Sequence, residues 1–290
     1  MRQRRCPDVQ KSGQCAAGFT LVEAIIVISI TAILAGGVAV FLRKPIDAYL
    51  DLARRTELSD IADSALRRLA RDLHLALPNS VRTVAADAAC LEFLPTTNGG
   101  RYRADIPGNV FDTSIALGAL DVLGPLSAKP AAGDLIVVYN LGIAGADAYN
   151  GDNTAIVAAD TASLVTTSSL IYLSPAKQFP LASPGNRFHV VSGAEQAVFY
   201  VCKNAGTDAT GNGTGTLYRM SAYGINPAQP SVCPAIPANT PILAQNVSSC
   251  TFSYGSGAAE RSALVSIRLG LSKGGETVSF YQDVHVSNIP

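Results

Sequence analysis

Glu23 is the single carboxylate inside an otherwise apolar run, FTLVEAIIVISITAILAGGVAVFL, at residues 19–42. At a bilayer centre an acidic side chain costs about 2.5–3.5 kcal/mol on insertion scales, so its presence demands a compensating position or partner. Its place near one edge of the run lowers that cost. In a first helical turn the carboxylate would also interact with its own helix dipole or reach the interface. A second chemistry depends on the preceding junction. Cleavage between Gly18 and Phe19 would free a cationic amine on Phe19, one helical turn before Glu23. In a low dielectric, that amine on the same chain, or on a neighbour staggered along a common axis, would attract Glu23. Glu23 then acts as a register and recruitment device.

The other reactive residue types are sparse. Cys6 and Cys15 precede the apolar run, and Cys90, Cys202, Cys233 and Cys250 follow it. An even set after the run, widely spaced and without C-x-x-C, predicts two disulfides in an oxidising compartment. Three pairings are open; Cys202 with Cys233, closing a Gly-rich excursion, and Cys90 with Cys250, joining two strands, is the preferred one. The histidines, His74, His189 and His285, lie far apart in the sequence, which favours structural or surface roles over a metal or triad site. No phosphate-cradling Gly loop with Lys-Ser or Lys-Thr, no H-E-x-x-H and no G-x-S-x-G occurs. Asp147, Asp152 and Asn153 match no dedicated calcium loop and read as turn formers. Arg101-Tyr102-Arg103 reads as a solvated loop. The expectation is a protein without catalytic residues, metal or cofactor, and not an enzyme.

The elements that must carry these residues follow from periodicity. At about 1.5 Å per residue, the run at 19–42 exceeds the roughly 30 Å of bilayer hydrocarbon and is too long for the core of an ordinary signal peptide. Pro45 should kink or break the helix. Helical patterning resumes over residues 49–77, with Leu58, Ile61, Ala62, Ala65, Leu66, Leu69, Leu73 and Leu77 at three- and four-residue spacing, and Pro78 supplies the stop. Beyond Ser80, short β-prone runs alternate with Gly, Pro, Asn and Asp at 90–94, 134–140, 169–173, 188–191, 197–202, 216–220, 247–254, 263–271 and 277–286. The last two, joined by Gly274-Gly275, predict a terminal hairpin. Residues 99–131, 142–153 and 204–215 read as long loops. The predicted organisation is therefore a leader at 1–18, a membrane-spanning helix at 19–42, an amphipathic helix at 43–78 and a β domain at 79–290. An antiparallel sheet packed on the amphipathic helix makes an α+β fold.

Charge excludes one class of partner and supports a targeting role for the N-terminus. Lys+Arg and Asp+Glu both number 22, so there is no global basic field for nucleic acid. Arg2, Arg4, Arg5 and Lys11 against the lone Asp8 precede the apolar run, but Arg43 and Lys44 flank its far end, so the charges give only a mild preference for a cytoplasmic N-terminus, and the expectation that the β domain is periplasmic rests more on the motif at residues 18–23.

Gly18-Phe19-Thr20-Leu21-Val22-Glu23 followed by a long apolar helix resembles the leader and N-terminus of type IV pilins and pseudopilins. That resemblance implies the pilin fold, cleavage at Gly18 by prepilin peptidase and N-methylation of Phe19. It also implies extraction from membrane lipid into a filament by an inner-membrane assembly platform and its ATPase. Blocks at 76–82, 90–95, 99–103, 217–219, 246–254 and 284–290 are similar to a minor pilin of mannose-sensitive haemagglutinin (MSHA) pili, which implies other minor pilins and a major pilin as partners. The J-type minor pseudopilin of a type II secretion system shares the same anchor chemistry and stands as the alternative.

Overall fold

The structure, a computed structural model, describes residues 19–84, 87–159, 170–256 and 262–290. The leader at 1–18, with Gly18, Cys6 and Cys15, lies outside them. The chain divides into two compact units, residues 1–53 and 54–290. In the first, the described residues form the beginning of helix α1, Leu21–His74, and their side chains from Phe19 through Leu50 are almost all exposed. Pro45 does not break this helix, contrary to the sequence expectation. A proline removes one ladder hydrogen bond, and here regular helix continues on both sides of the gap. The helix also stops at His74 rather than at Pro78. Strand residues capture the next turn: the Leu77 N–H donates to Leu94 O (2.7 Å) and the Thr96 N–H to Leu75 O (2.7 Å). That pairing outcompetes another helical turn.

In the second unit, the amphipathic end of α1 lies on a seven-stranded antiparallel sheet. Its strands are β1 (Arg82–Val84), β2 (Asp87–Phe93), β9 (Val198–Lys203), β10 (Gly215–Ser221), β11 (Ile242–Ser256), β12 (Ser262–Lys273) and β13 (Glu276–Ser287), ordered 1-2-9-10-11-12-13. Leu58, Ala62, Ala65, Leu66, Leu69 and Leu73 fall on one stripe of α1 and pack on Leu91, Phe93, Tyr200, Leu217, Val265, Leu269 and Leu271 of the sheet. Each fully buried Leu contributes about 1.5–3 kcal/mol, so this seam dominates the unit's stability. The β12–β13 hairpin turns at Gly274 (φ 59°) and Gly275 (φ 84°), a pair of left-handed positions that glycine adopts without a Cβ clash.

An insertion separates β2 from β9. Phe93 and Val198 are partners in adjacent strands, and the chain between them leaves and returns at one point. Within the insertion lie β3 (Thr96–Tyr102), β4 (Leu117–Leu123), β5 (Leu135–Val138), β6 (Thr154–Ile156), β7 (Leu170–Lys177) and β8 (Arg187–Val191), in the order 6-5-8-3-4-7. The edges meet where Val157 bridges Leu173 and the Ala158 N–H donates to Tyr172 O (2.8 Å). The sheet thus closes on itself around Tyr102, Phe111, Leu120, Ile136, Val138, Phe179, Phe188 and Val190. Closure removes the free edges that an open small sheet would expose.

Two sequence expectations change here. The single sheet is two, and the loop expected over 99–131 contains most of β3 and all of β4. Tyr102, expected in a solvated loop, is 1% exposed and stacks on Phe111 with centroids 4.1 Å apart. The Gly-rich TTNGG of β3 hid the strand: Gly100 faces the Phe188 ring so closely that a Cβ would collide with it.

Candidate functional site

The helix start is built by Thr20. Its hydroxyl accepts the Glu23 N–H (3.3 Å) and its carbonyl accepts the Ala24 N–H (3.1 Å), which makes it an N-cap with Glu23 three residues on. Sequence reading singled out Glu23 and passed over Thr20, although T-x-x-E ahead of an apolar run is the signature of this cap. Phe19, exposed, is the residue before the cap, so an amine created there would sit at the positive end of the helix dipole, within one turn of the exposed Glu23. An acidic side chain in the first turn stabilises the helix, and Glu23 is the acid of this first turn.

Along the apolar half, the polar side chains satisfy themselves. Ser29 Oγ donates to Ile25 O (2.8 Å) and Thr31 Oγ1 to Val27 O (2.7 Å), leaving apolar surface outward. The helix is long and apolar enough to cross a membrane and is compatible with a single membrane anchor. Its first half carries an apolar surface that demands lipid or a partner.

The four cysteines after the anchor form two disulfides, but the preferred pairing was wrong: Cys90 joins Cys233 (Cα–Cα 5.9 Å) and Cys202 joins Cys250 (Cα–Cα 6.2 Å). Strand parity is the reason. Cys90 stands opposite Val201 and lies with Phe199, Val201 and Met220 on the face away from α1. Cys202 and Cys250 both face α1. A Cys90–Cys250 bridge would have to pass through the sheet. Cys233 belongs to residues 222–241, an irregular strap over the outer face that Arg82 and Gln229 also hold, through Asn226 O and Thr83 O.

Two buried charge networks fix the second unit. Asp72, 9% exposed in the last turn of α1, opposes the helix dipole, and its partners offset that. Arg68 Nε (3.1 Å), Arg219 Nε (2.6 Å) and the Tyr200 hydroxyl (2.8 Å) all donate to it, and Arg219 also donates to Glu195 (2.6 Å). Burial, and then the Asp72 charge, push the Tyr200 phenol up; the Arg219 hydrogen bond holds the Glu195 carboxyl below its usual range. Glu92, 1% exposed, accepts from Arg82 Nε (2.6 Å) and from the Tyr223 hydroxyl (2.6 Å), while the Arg82 guanidinium lies 3.6 Å over the Tyr149 ring. These groups tie elements together, with Asp72, Glu92, Arg82 and Arg219 mostly buried and Arg68 and Glu195 reaching solvent at the rim.

The remaining sequence candidates do not converge. His74, His189 and His285 sit on α1, β8 and β13. Asp152 accepts the Gly145 and Asp147 N–H groups (3.0 and 3.3 Å), and Asp147 accepts the Tyr149 N–H (2.9 Å), so both build their loop. Asn153 is fully buried. Among the described residues, one side-chain cluster could hold a metal, Asp87 with Cys90 and Cys233, and both of its sulfurs are in the disulfide.

The family model of the prokaryotic N-terminal methylation motif matches residues 14–39, across the Gly18-Phe19 junction and into the apolar helix. Neither the curated proteins nor the solved structures contain a match to the chain. The motif supports a type IV pilin-like or pseudopilin-like protein. It implies processing by prepilin peptidase and assembly with other pilin-like subunits.

Proposed function

We propose that this chain is a non-enzymatic minor pilin of an MSHA-type type IV pilus, similar to MshO, acting in the tip or initiation complex of the filament. The observation that carries the reading is the methylation motif running directly into a Thr20-capped helix whose apolar first half is exposed, with Glu23 in its first turn. Prepilin peptidase cuts after Gly18, Phe19 is N-methylated, and the helix is held in the inner membrane with the second unit in the periplasm. In the filament the apolar half exchanges lipid for neighbouring helices, and Glu23 attracts the Phe19 amine of an adjacent subunit, favouring one stagger. The inserted barrel supports a low-copy place at the tip, because added bulk beside the sheet is easier to accommodate where lateral packing ends. Deletion of the gene tests the reading: surface pili should be lost with exoprotein secretion intact. Lost secretion with normal piliation would instead place the chain in a secretion pseudopilus, and immunogold label along the whole shaft would contradict the tip position.

A further inference from the structure

Arg101 of β3 and Arg187 of β8 are directly opposite one another in the barrel, and both are exposed. Like charges in that position destabilise a sheet. Among the described residues neither forms an ion pair. The nearby Arg103 is neutralised by Asp121 (3.2 Å). Arg101 spends one N–H on Gly185 O (3.2 Å), which leaves most of its fork free, and the Arg187 guanidinium makes no hydrogen bond among the described residues. A stability account gives no reason for this pair.

Arg187 and Gly185 form one wall of an open cleft of about 1060 Å³ within the second unit. Its lining mixes polar and apolar surface, with Tyr139, Leu141 and Ile143 of the insertion and Tyr254 and Ile289 of the C-terminal segment beside Arg187 and Asn288. Ile143 and Ile289 are about half exposed. Asn288, 8% exposed, also lines the cleft; its amide donates to the Tyr254 hydroxyl (3.3 Å) and its Oδ1 has no hydrogen-bond partner. The volume is at the upper end for a small-ligand site.

We infer that this cleft docks an extended peptide segment of a partner protein in which an acidic side chain lies beside an aliphatic one. The carboxylate would bridge the guanidiniums of Arg101 and Arg187, the arrangement in which paired forks bind most strongly. The aliphatic side chain would fill the space between Ile143 and Ile289. The two cations call for an acidic group and the exposed Ile143 and Ile289 for an aliphatic side chain beside it, a combination that a peptide carries and a saccharide lacks. The docking site is independent of the filament role of α1.

The test uses the full mature chain in detergent micelles. Fluorescein-labelled hexapeptides carry a Leu-Glu pair at each successive position of a Gly-Ser background, with Leu-Gln counterparts, and binding is read by fluorescence anisotropy. At least one Leu-Glu peptide should bind about tenfold or more tightly than its Leu-Gln counterpart. The difference should vanish in the Arg101→Gln/Arg187→Gln variant and shrink at high salt. That variant should keep or slightly raise the melting temperature, because a like-charge pair is relieved, so lost binding cannot be lost folding. Equal affinity for Glu and Gln peptides throughout, unchanged affinity in the double variant, or binding of sialyllactose in place of every peptide would overturn the inference.

Discussion

Arg82 and Glu92 illustrate how much a single buried pair holds. With Glu92 1% exposed, removing the guanidinium leaves its charge with only the Tyr223 hydroxyl, and such a loss costs about 3–5 kcal/mol. Arg82→Ala should lower chemical-denaturation stability by that amount, whereas Arg67→Ala, which breaks an exposed i,i+4 pair with Asp63, should leave it nearly unchanged. His189 gives a pH signature. Burial, and then Arg187, hold its pKa below the ordinary histidine value of 6.5, so the unfolded chain takes up the proton more readily. Stability from this group is full above that value and declines as pH falls below it; His189→Gln should flatten that part of a melting-temperature profile between pH 7 and 5. In the proposed filament Glu23 serves assembly, beside its first-turn place in the helix. Glu23→Ala should still be cleaved but should crosslink less to partner subunits, and undiminished crosslinking would remove its recruitment role. The place of Glu23 in the first turn of α1 was legible in sequence because a charge in an apolar run has few explanations. Thr20 was legible in principle from its spacing to Glu23. Tyr200 and Arg219 as partners of Asp72, and Tyr223 as a partner of Glu92, were not, since they come from positions far along the chain that only the folded sheet brings together.

At the scale of elements, the two disulfides divide the labour. Cys202–Cys250 staples β9 to β11 beneath α1, while Cys90–Cys233 fastens the strap at 222–241 to β2. Cys90→Ser/Cys233→Ser should raise hydrogen exchange mainly in the strap and leave the α1 seam protected. Cys202→Ser/Cys250→Ser should lower global stability by about 2–4 kcal/mol, seen as a shifted denaturation midpoint. Uniform exchange effects from both variants would contradict the division. The amphipathic stripe of α1 and the terminal hairpin could be read from the sequence because their periodicity is long and uninterrupted. β1 and β6 are short, and β3 and β4 carry glycine at positions where strands ordinarily carry bulk, so their existence depends on neighbours. The disulfide pairing depended on which face each strand turns to the helix, and spacing along the chain carries no such information.

At the scale of the molecule, one chain combines an exposed apolar helix with a folded unit that carries its own core and an inserted, closed sheet. The apolar half is compatible with a single membrane anchor, and the insertion adds surface without disturbing the seam between α1 and the seven-stranded sheet. The central claim is that processing at Gly18-Phe19 converts a membrane-inserted precursor into an assembly-competent subunit. Intact-mass analysis of the protein purified from its native membrane tests it most directly. The account predicts a chain beginning at an N-methylated Phe19 with all four remaining cysteines oxidised. A mature protein that retains residues 1–18, begins at another residue or carries an unmodified Phe19 would contradict it.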